Sequence, residues 1–352
     1  MQGRSAALLL LVWMGACATR APEQPRAPEP ARPGPTRSEP PSAPGRDRQG
    51  GPAPALPGSR HADGSPALRI EVGRRGSGVV ETIPLETYVL DVLIGELSVA
   101  PGDGAIAAAA YEVQALVARS YALAVRGRHR ADGFDLCSTT HCQVYARDRW
   151  RQSRWAAQMA AAVERSRGRV LTHGGRPIEA VFHAHCGGHT STAAEVWRSA
   201  GAPYLRGVPD AFCLREQSGR WTSTLDLALV RTALARTRRT DVGERLDGVQ
   251  VLRRDAGGRA VEVVLTGDRA PVVSAEDLRL ALIAAAGPRS LRSARFDARR
   301  DGAQVVFSGV GAGHGVGLCQ IGMIGRLRAG QSPDEILRAY YTGIEIAHLG
   351  GT

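Results

Sequence analysis

Residues 84–97 read PLETYVLDVLIGEL, and this stretch decides the fold class. Pro84 is tolerated at the first turn of a helix, where a backbone N–H would be unpaired anyway. Behind it, Leu85, Tyr88, Val89, Val92, Leu93, Glu96 and Leu97 recur at three- and four-residue spacing, which predicts one helical face turned to a core. Glu96 falls on that apolar stripe rather than opposite it. A carboxylate in such a place is unusual, because burial penalises its charged form. Upstream, Leu68-Arg69-Ile70-Glu71-Val72 alternates as a half-buried strand does. Strand and amphipathic helix side by side point to mixed α+β structure.

Working outward, Gly102 and Gly104 break the chain before an alanine-rich helix expected over residues 105–126, with Gln114, Ala118 and Tyr121 on one face and Arg119 beside them. A loop carrying Cys137, His141 and Cys142 follows, then a helix over 149–166. Residues 169–172 and 177–183 read as a hairpin around Gly174-Gly175. Short strands (249–252, 260–265, 305–307) alternate with helices (225–236, 275–285). Ser332, Pro333 and Glu335 spell the capping box of a last helix. The expectation is α+β, a single domain over residues 66–350 with a helical core and short mixed sheets and hairpins.

The first 65 residues read differently. Arg4, an apolar run over 6–14 and Gly15-Ala16-Cys17 make a short secretory signal. Small residues directly before Cys17 resemble a bacterial lipobox, so residues 1–17 are expected to be a lipoprotein signal with Cys17 lipidated. An ordinary signal peptide that contains a cysteine is the alternative. Residues 18–65 are rich in Pro, Ala and Arg and offer nothing periodic to bury, as in a disordered linker. These segments imply an exported protein, lipid-anchored to a bacterial membrane and facing the periplasm or cell wall.

The net charge of +11 is carried by arginine alone, since the chain has neither lysine nor asparagine. That excludes a P-loop lysine, a Schiff base and an asparagine oxyanion donor. An arginine-rich surface suits phosphate or carboxylate polymers. Nucleic acid is not expected, because aromatics are only 5% and no helix-turn-helix, zinc-finger or RNA-binding pattern occurs.

Several colinear blocks carry a resemblance. They are 84–89 through Gly95-Glu96-Leu97; QALVARSYA at 114–122; DLCSTTHCQVY at 135–145; Phe182-His183 with Cys186-Gly187-Gly188-His189-Thr190; Glu195-Val196-Trp197; Pro203-Tyr204-Leu205; GHGVGLCQ at 313–320; and Ile336-Leu337 through Tyr340-Tyr341-Thr342-Gly343. Together they resemble the SpoIID/LytB domain family across about residues 68–349. The resemblance implies a lytic transglycosylase that cuts peptidoglycan glycan strands, with Glu96 catalytic; the LytB-like branch instead implies an enhancer of a cell-wall amidase. It also implies that Gln114, Arg119 and Tyr121 orient sugar hydroxyls or a lactyl carboxylate, the alternative being a helix surface with one salt-bridged arginine. His183, Gly187, Gly188, His314 and Gln320 would line the glycan cleft, with turn packing as the plain alternative at His314. Leu97-Ser98 stands where the family more often has methionine and proline. Val310-Gly311-Ala312-Gly313 lacks the usual arginine and tryptophan, and Ile321 replaces a tryptophan. These departures touch sugar stacking rather than proton chemistry.

Cys137, His141 and Cys142, with His129 or Asp135 as a fourth ligand, suit zinc, which some family members are similar in holding; a Cys137–Cys142 disulfide or free thiols are the alternatives. Five cysteines remain after Cys17, so complete pairing is impossible. A Cys186–Cys213 bridge would leave Cys319 as the odd thiol. A Cys186–His189 pair would make a thiol peptidase, but closeness in a glycine turn does not by itself arrange nucleophile, base and orienter. The partners expected are glycan strands, a cell-wall amidase and a membrane through the lipid.

Overall fold

The computed structural model describes residues 66–215 and 219–349. The expected lipidation at Cys17 and the expected linker over residues 18–65 lie outside them. Among the described residues no helix is long and apolar enough to cross a membrane.

The fold is α+β, built from helices and short sheets around two hydrophobic cores. The first core gathers residues from Leu68 to Cys213 and from Val316 to Ile344. The second lies within residues 221–307, so it is inserted into the first along the chain. At the centre of the first core is the helix Gly104–Ala124, whose residues from Val113 to Ala122 are all buried. Its many alanines let the neighbouring helices Leu85–Glu96, Ala156–Arg165, Gln320–Arg328 and Pro333–Tyr340 pack around it. A helix buried on every side is apolar on every side, and the exceptions here, Gln114, Arg119 and Ser120, each have a partner inside the core.

Strand Ala67–Glu71 pairs antiparallel with Val80–Pro84 and parallel with Leu136–Cys137, which seats the cysteine loop against the first helix pair. The second core joins two three-stranded antiparallel sheets, one around Ala260–Gly267 and one around Gln304–Val310, to the helices Leu227–Leu234 and Ala275–Ala286.

Two expected elements differ. The helix over 149–166 is interrupted: a 3-10 turn at Arg149–Gln152 precedes the helix Ala156–Arg165, because Ser153 Oγ accepts the Trp155 N–H (3.1 Å) and the Trp155 indole donates to the Val99 carbonyl (3.0 Å). The hairpin around Gly174-Gly175 forms, both glycines having positive φ, but its second strand is only Arg176–Pro177. Proline has no N–H to extend the ladder. Phe182–His183 pairs instead in parallel with Leu318–Cys319. The Ser332/Glu335 capping box is present with both hydrogen bonds.

Candidate active site

Glu96 is the last residue of the helix Leu85–Glu96, half-buried where that helix meets the cysteine loop. One carboxylate oxygen accepts the Val144 N–H at 2.5 Å. Among the described residues no ion pair reaches it. Burial pushes the Glu96 carboxyl up from 4.5 to about 7, with the Val144 hydrogen bond opposing. The Glu96 carbonyl accepts from Gln320 Nε2 at 2.8 Å, and the same amide reaches Gln114 Oε1 at 3.2 Å. Gln114 and Gln320, expected to bind substrate, thus join Glu96 in one network. The Gln114 Nε2 is buried with no partner among the described residues.

The loop over Glu96 is held at three points that the sequence reading did not single out. The Tyr88 hydroxyl donates to Gln143 Oε1 at 3.1 Å, and its ring stacks on Tyr145. Asp91, buried, accepts the Asp148 N–H at 2.9 Å. Gly95 lets the loop approach: a Cβ there would collide with the Val144 carbonyl oxygen and sit 2.9 Å from its Cγ1. Alanine normally favours a helix interior over glycine by about 1 kcal/mol. Here Gly95→Ala is expected to destabilise instead and to lift Val144 from Glu96; chemical denaturation read beside activity checks this, and a more stable, fully active variant would refute it.

The same loop carries a compact ligand set. Ligand atoms of His129, Cys137, His141 and Cys142 all lie within 4.8 Å of one another. Cys142 Sγ is 3.4 Å from His129 Nε2 and 3.5 Å from His141 Nδ1, and Cys137 Sγ is 3.7 Å from His141 Nδ1. Tetrahedral zinc with sulfur and imidazole ligands separates S and N by about 3.6 Å. The residues fit that ion. His129 would complete the set of four, while Asp135 is turned to the Arg69 N–H (2.9 Å) and to Arg126.

Other expected site residues lie elsewhere. Arg119 is fully buried, its guanidinium forked onto Glu86 (3.0 and 2.5 Å) and donating to the Arg169 carbonyl (3.1 Å) and Ser166, so these donors point into the core and not toward the cleft expected for a substrate. Tyr121 is buried and accepts from Arg128 (2.6 Å), itself paired with Glu179. His183 and His314 pack edge-to-face on each other, with Trp197 against His314, and desolvation pushes His314 down to about 4. His183 Nδ1 meets the Val316 carbonyl at 3.1 Å. Gly187 and Gly188 form a left-handed turn (φ 79° and 107°) closed over by Arg295 and Leu214, so neither lines an open cleft. The five cysteines of the described residues are all free, so neither expected disulfide is formed. His189 Nδ1 contacts the Thr190 carbonyl (2.6 Å) while Cys186 faces Asp210, so no Cys186–His189 pair exists.

Beyond the end of the Glu96 helix, Ile94, Leu97, Ser98, Tyr111, Arg154 and Trp155 help to line a pocket of about 240 Å³. Its half-buried indole comes from Trp155, which the sequence reading placed only within the helix over 149–166.

A helical core thus carries the Glu96 carboxyl, raised by burial, beneath a cysteine loop. Residues 74–173 match the SpoIID family, described as Stage II sporulation protein. An uncharacterised protein of Brachyspira hyodysenteriae is 30% identical over 76% of this chain and 68% of its own length. Stage II sporulation protein D of Bacillus subtilis is 29% identical over 84% of this chain and 83% of its own. The Amidase enhancer of the same organism is 26% identical over 66% of this chain, which spans 37% of that longer protein. The chain belongs to the SpoIID family.

Proposed function

We propose that the protein is a peptidoglycan lytic transglycosylase with Glu96 as its single general acid and base. The observation that carries this reading is a half-buried carboxyl, free of ion pairs among the described residues, with a pKa of about 7. Such a group is partly protonated at neutral pH and so serves in both directions. The Glu96 carboxylic acid protonates the glycosidic oxygen as the bond from muramic C1 breaks. The resulting carboxylate, steadied by the Val144 N–H, takes the proton of the C6 hydroxyl as O6 bonds to C1. The glycan ends in a 1,6-anhydro ring, no water is consumed and Glu96 is again protonated. Ordinary hydrolysis would need a second carboxylate to activate water or form a glycosyl-enzyme.

Gln114, fully buried, steadies the Gln320 amide that holds the Glu96 carbonyl, and the Trp155 pocket offers an aromatic wall for the neighbouring sugar. His129, Cys137, His141 and Cys142 would hold zinc, which supplies a cross-link rather than acid–base chemistry. It would rivet the loop that aims Val144 at Glu96. Export with a lipid at Cys17 would bring the site to its polymer.

A second reading, a glycan-binding enhancer of an amidase, is favoured by one observation: His183, His314, Gly187 and Gly188 pack inward instead of lining a cleft. Purified protein incubated with glycan strands stripped of stem peptides separates the two. The first expects anhydromuramyl ends by mass spectrometry; the second expects sedimentation with sacculi and no product.

A further inference from the structure

The sulfurs of Cys186, Cys213 and Cys319 and a carboxylate oxygen of Asp210 converge in the interior, all within 4.8 Å of one another. All four residues are fully buried. We propose that these residues form a second zinc site, of three thiolates and one carboxylate, distinct from the one in the Glu96 loop. It does not depend on the transglycosylase reading.

Four features point to a metal. First, the spacing fits: Cys186 Sγ lies 3.4 Å from Asp210 Oδ2, against about 3.6 Å between sulfur and oxygen in tetrahedral zinc. Second, backbone N–H groups aim at the sulfurs, from Gly188 to Cys186 (3.3 Å) and from Cys186 and Gly322 to Cys319 (3.2 and 3.3 Å). Donors so placed stabilise thiolate charge. The left-handed Gly187-Gly188 turn exists to curl that N–H back onto Cys186. Third, the carboxylate is oriented from outside, as metal ligands are: Tyr340 donates to Asp210 Oδ2 at 2.7 Å, and Cys213 N–H to Oδ1 at 3.2 Å. Gly322 makes room, since a Cβ there would collide with the Asp210 carboxylate and the Tyr340 hydroxyl. Fourth, three sulfurs cannot all be paired by disulfides, whereas one soft-ligand ion satisfies all three and the buried carboxylate together.

The ligands come from the loop at Cys186 before the glycine turn, the short helix Ala211–Leu214 with its N-cap Asp210, and the N-cap of the helix Gln320–Arg328, so the ion would tie together segments over 130 residues apart. Gln320, directly after Cys319, holds the Glu96 carbonyl. The site would therefore anchor the floor of the Glu96 network, as a zinc in the cysteine loop would anchor its roof.

Metal analysis of the full chain purified under reducing conditions with zinc supplied tests this. Two zinc ions per chain are expected, with one lost in Cys213→Ser and, independently, one lost in Cys142→Ser. Tyr340→Phe should keep the fold and weaken one of the two ions by about 10- to 100-fold. Should Cys213→Ser not fold, cobalt in the wild-type chain decides: absorption from five thiolates supports two sites and from two refutes the second. Unchanged metal content in Cys213→Ser, or a disulfide among Cys186, Cys213 and Cys319 in the zinc-supplied protein, would overturn the proposal.

Discussion

Glu96→Gln is expected to lower release of anhydromuramyl ends by about 10²–10⁴-fold, the usual contribution of a positioned general acid. Glutamine keeps the shape and can still accept the Val144 hydrogen bond, so the loop over it should stay in place. The variant loses only the proton. The pH dependence follows from the same group. Burial raises the Glu96 carboxyl from 4.5 to about 7, so the competent acid is depleted as pH rises through about 7, and kcat/KM of the wild type should fall tenfold per pH unit beyond it. Stability carries the matching sign. A group raised in the fold stabilises below its unfolded value, and that contribution is lost as pH rises through its folded value. At pH 8 the ionised wild type should therefore be the less stable, by about 1–2 kcal/mol once the partial solvent access of Glu96 is allowed for. At pH 4 the two should unfold alike. Full activity in Glu96→Gln, or a flat profile between pH 6 and 9, would reject the acid role.

Arg119→Ala is expected to lower folding stability by about 3–5 kcal/mol, the range for breaking a buried pair and leaving one charge uncompensated. The guanidinium has no solvent exposure and Glu86 retains only 19% at its side chain. Glu86 also accepts the Gly168 N–H at 3.2 Å, so the pair ties the first helix and the central helix to the strand that follows Gly168. Removing both partners, Glu86→Ala with Arg119→Ala, should cost less than the sum of the single changes, since they share one interaction. Denaturant unfolding gives these values directly. A variant of unchanged stability with a raised KM for glycan would restore the substrate-binding role expected from the family resemblance.

The two residues show what local spacing reveals and what it does not. Both lie in blocks that carry the resemblance. Glu96 stood out because a carboxylate on an apolar stripe conflicts with its own periodicity, and that conflict is local. Arg119 offered no such clue. Whether an arginine on a helix meets a sugar carboxylate or a glutamate 33 residues earlier depends on which helix packs beside it. The same holds for His129 over Asp135: both are near the cysteines in sequence, and only the Arg69 N–H and Arg126 draw the aspartate away. Trp155 was legible as an aromatic but not as the wall of a pocket, because a serine side chain breaks the helix before it.

By itself the sequence determined the α+β class, the helix that carries Glu96, the capping box at Ser332 and the family. Each is written in spacings of a few residues, or in blocks whose order alone identifies them. Tertiary structure alone decided that Val144 faces Glu96, that Gln320 spans from Glu96 to Gln114, and that Cys186, Asp210, Cys213 and Cys319 meet. Those contacts join segments up to 224 residues apart. No local period records them, because they arise only when the two chain segments of the first core, separated by the inserted second core, close around the central helix.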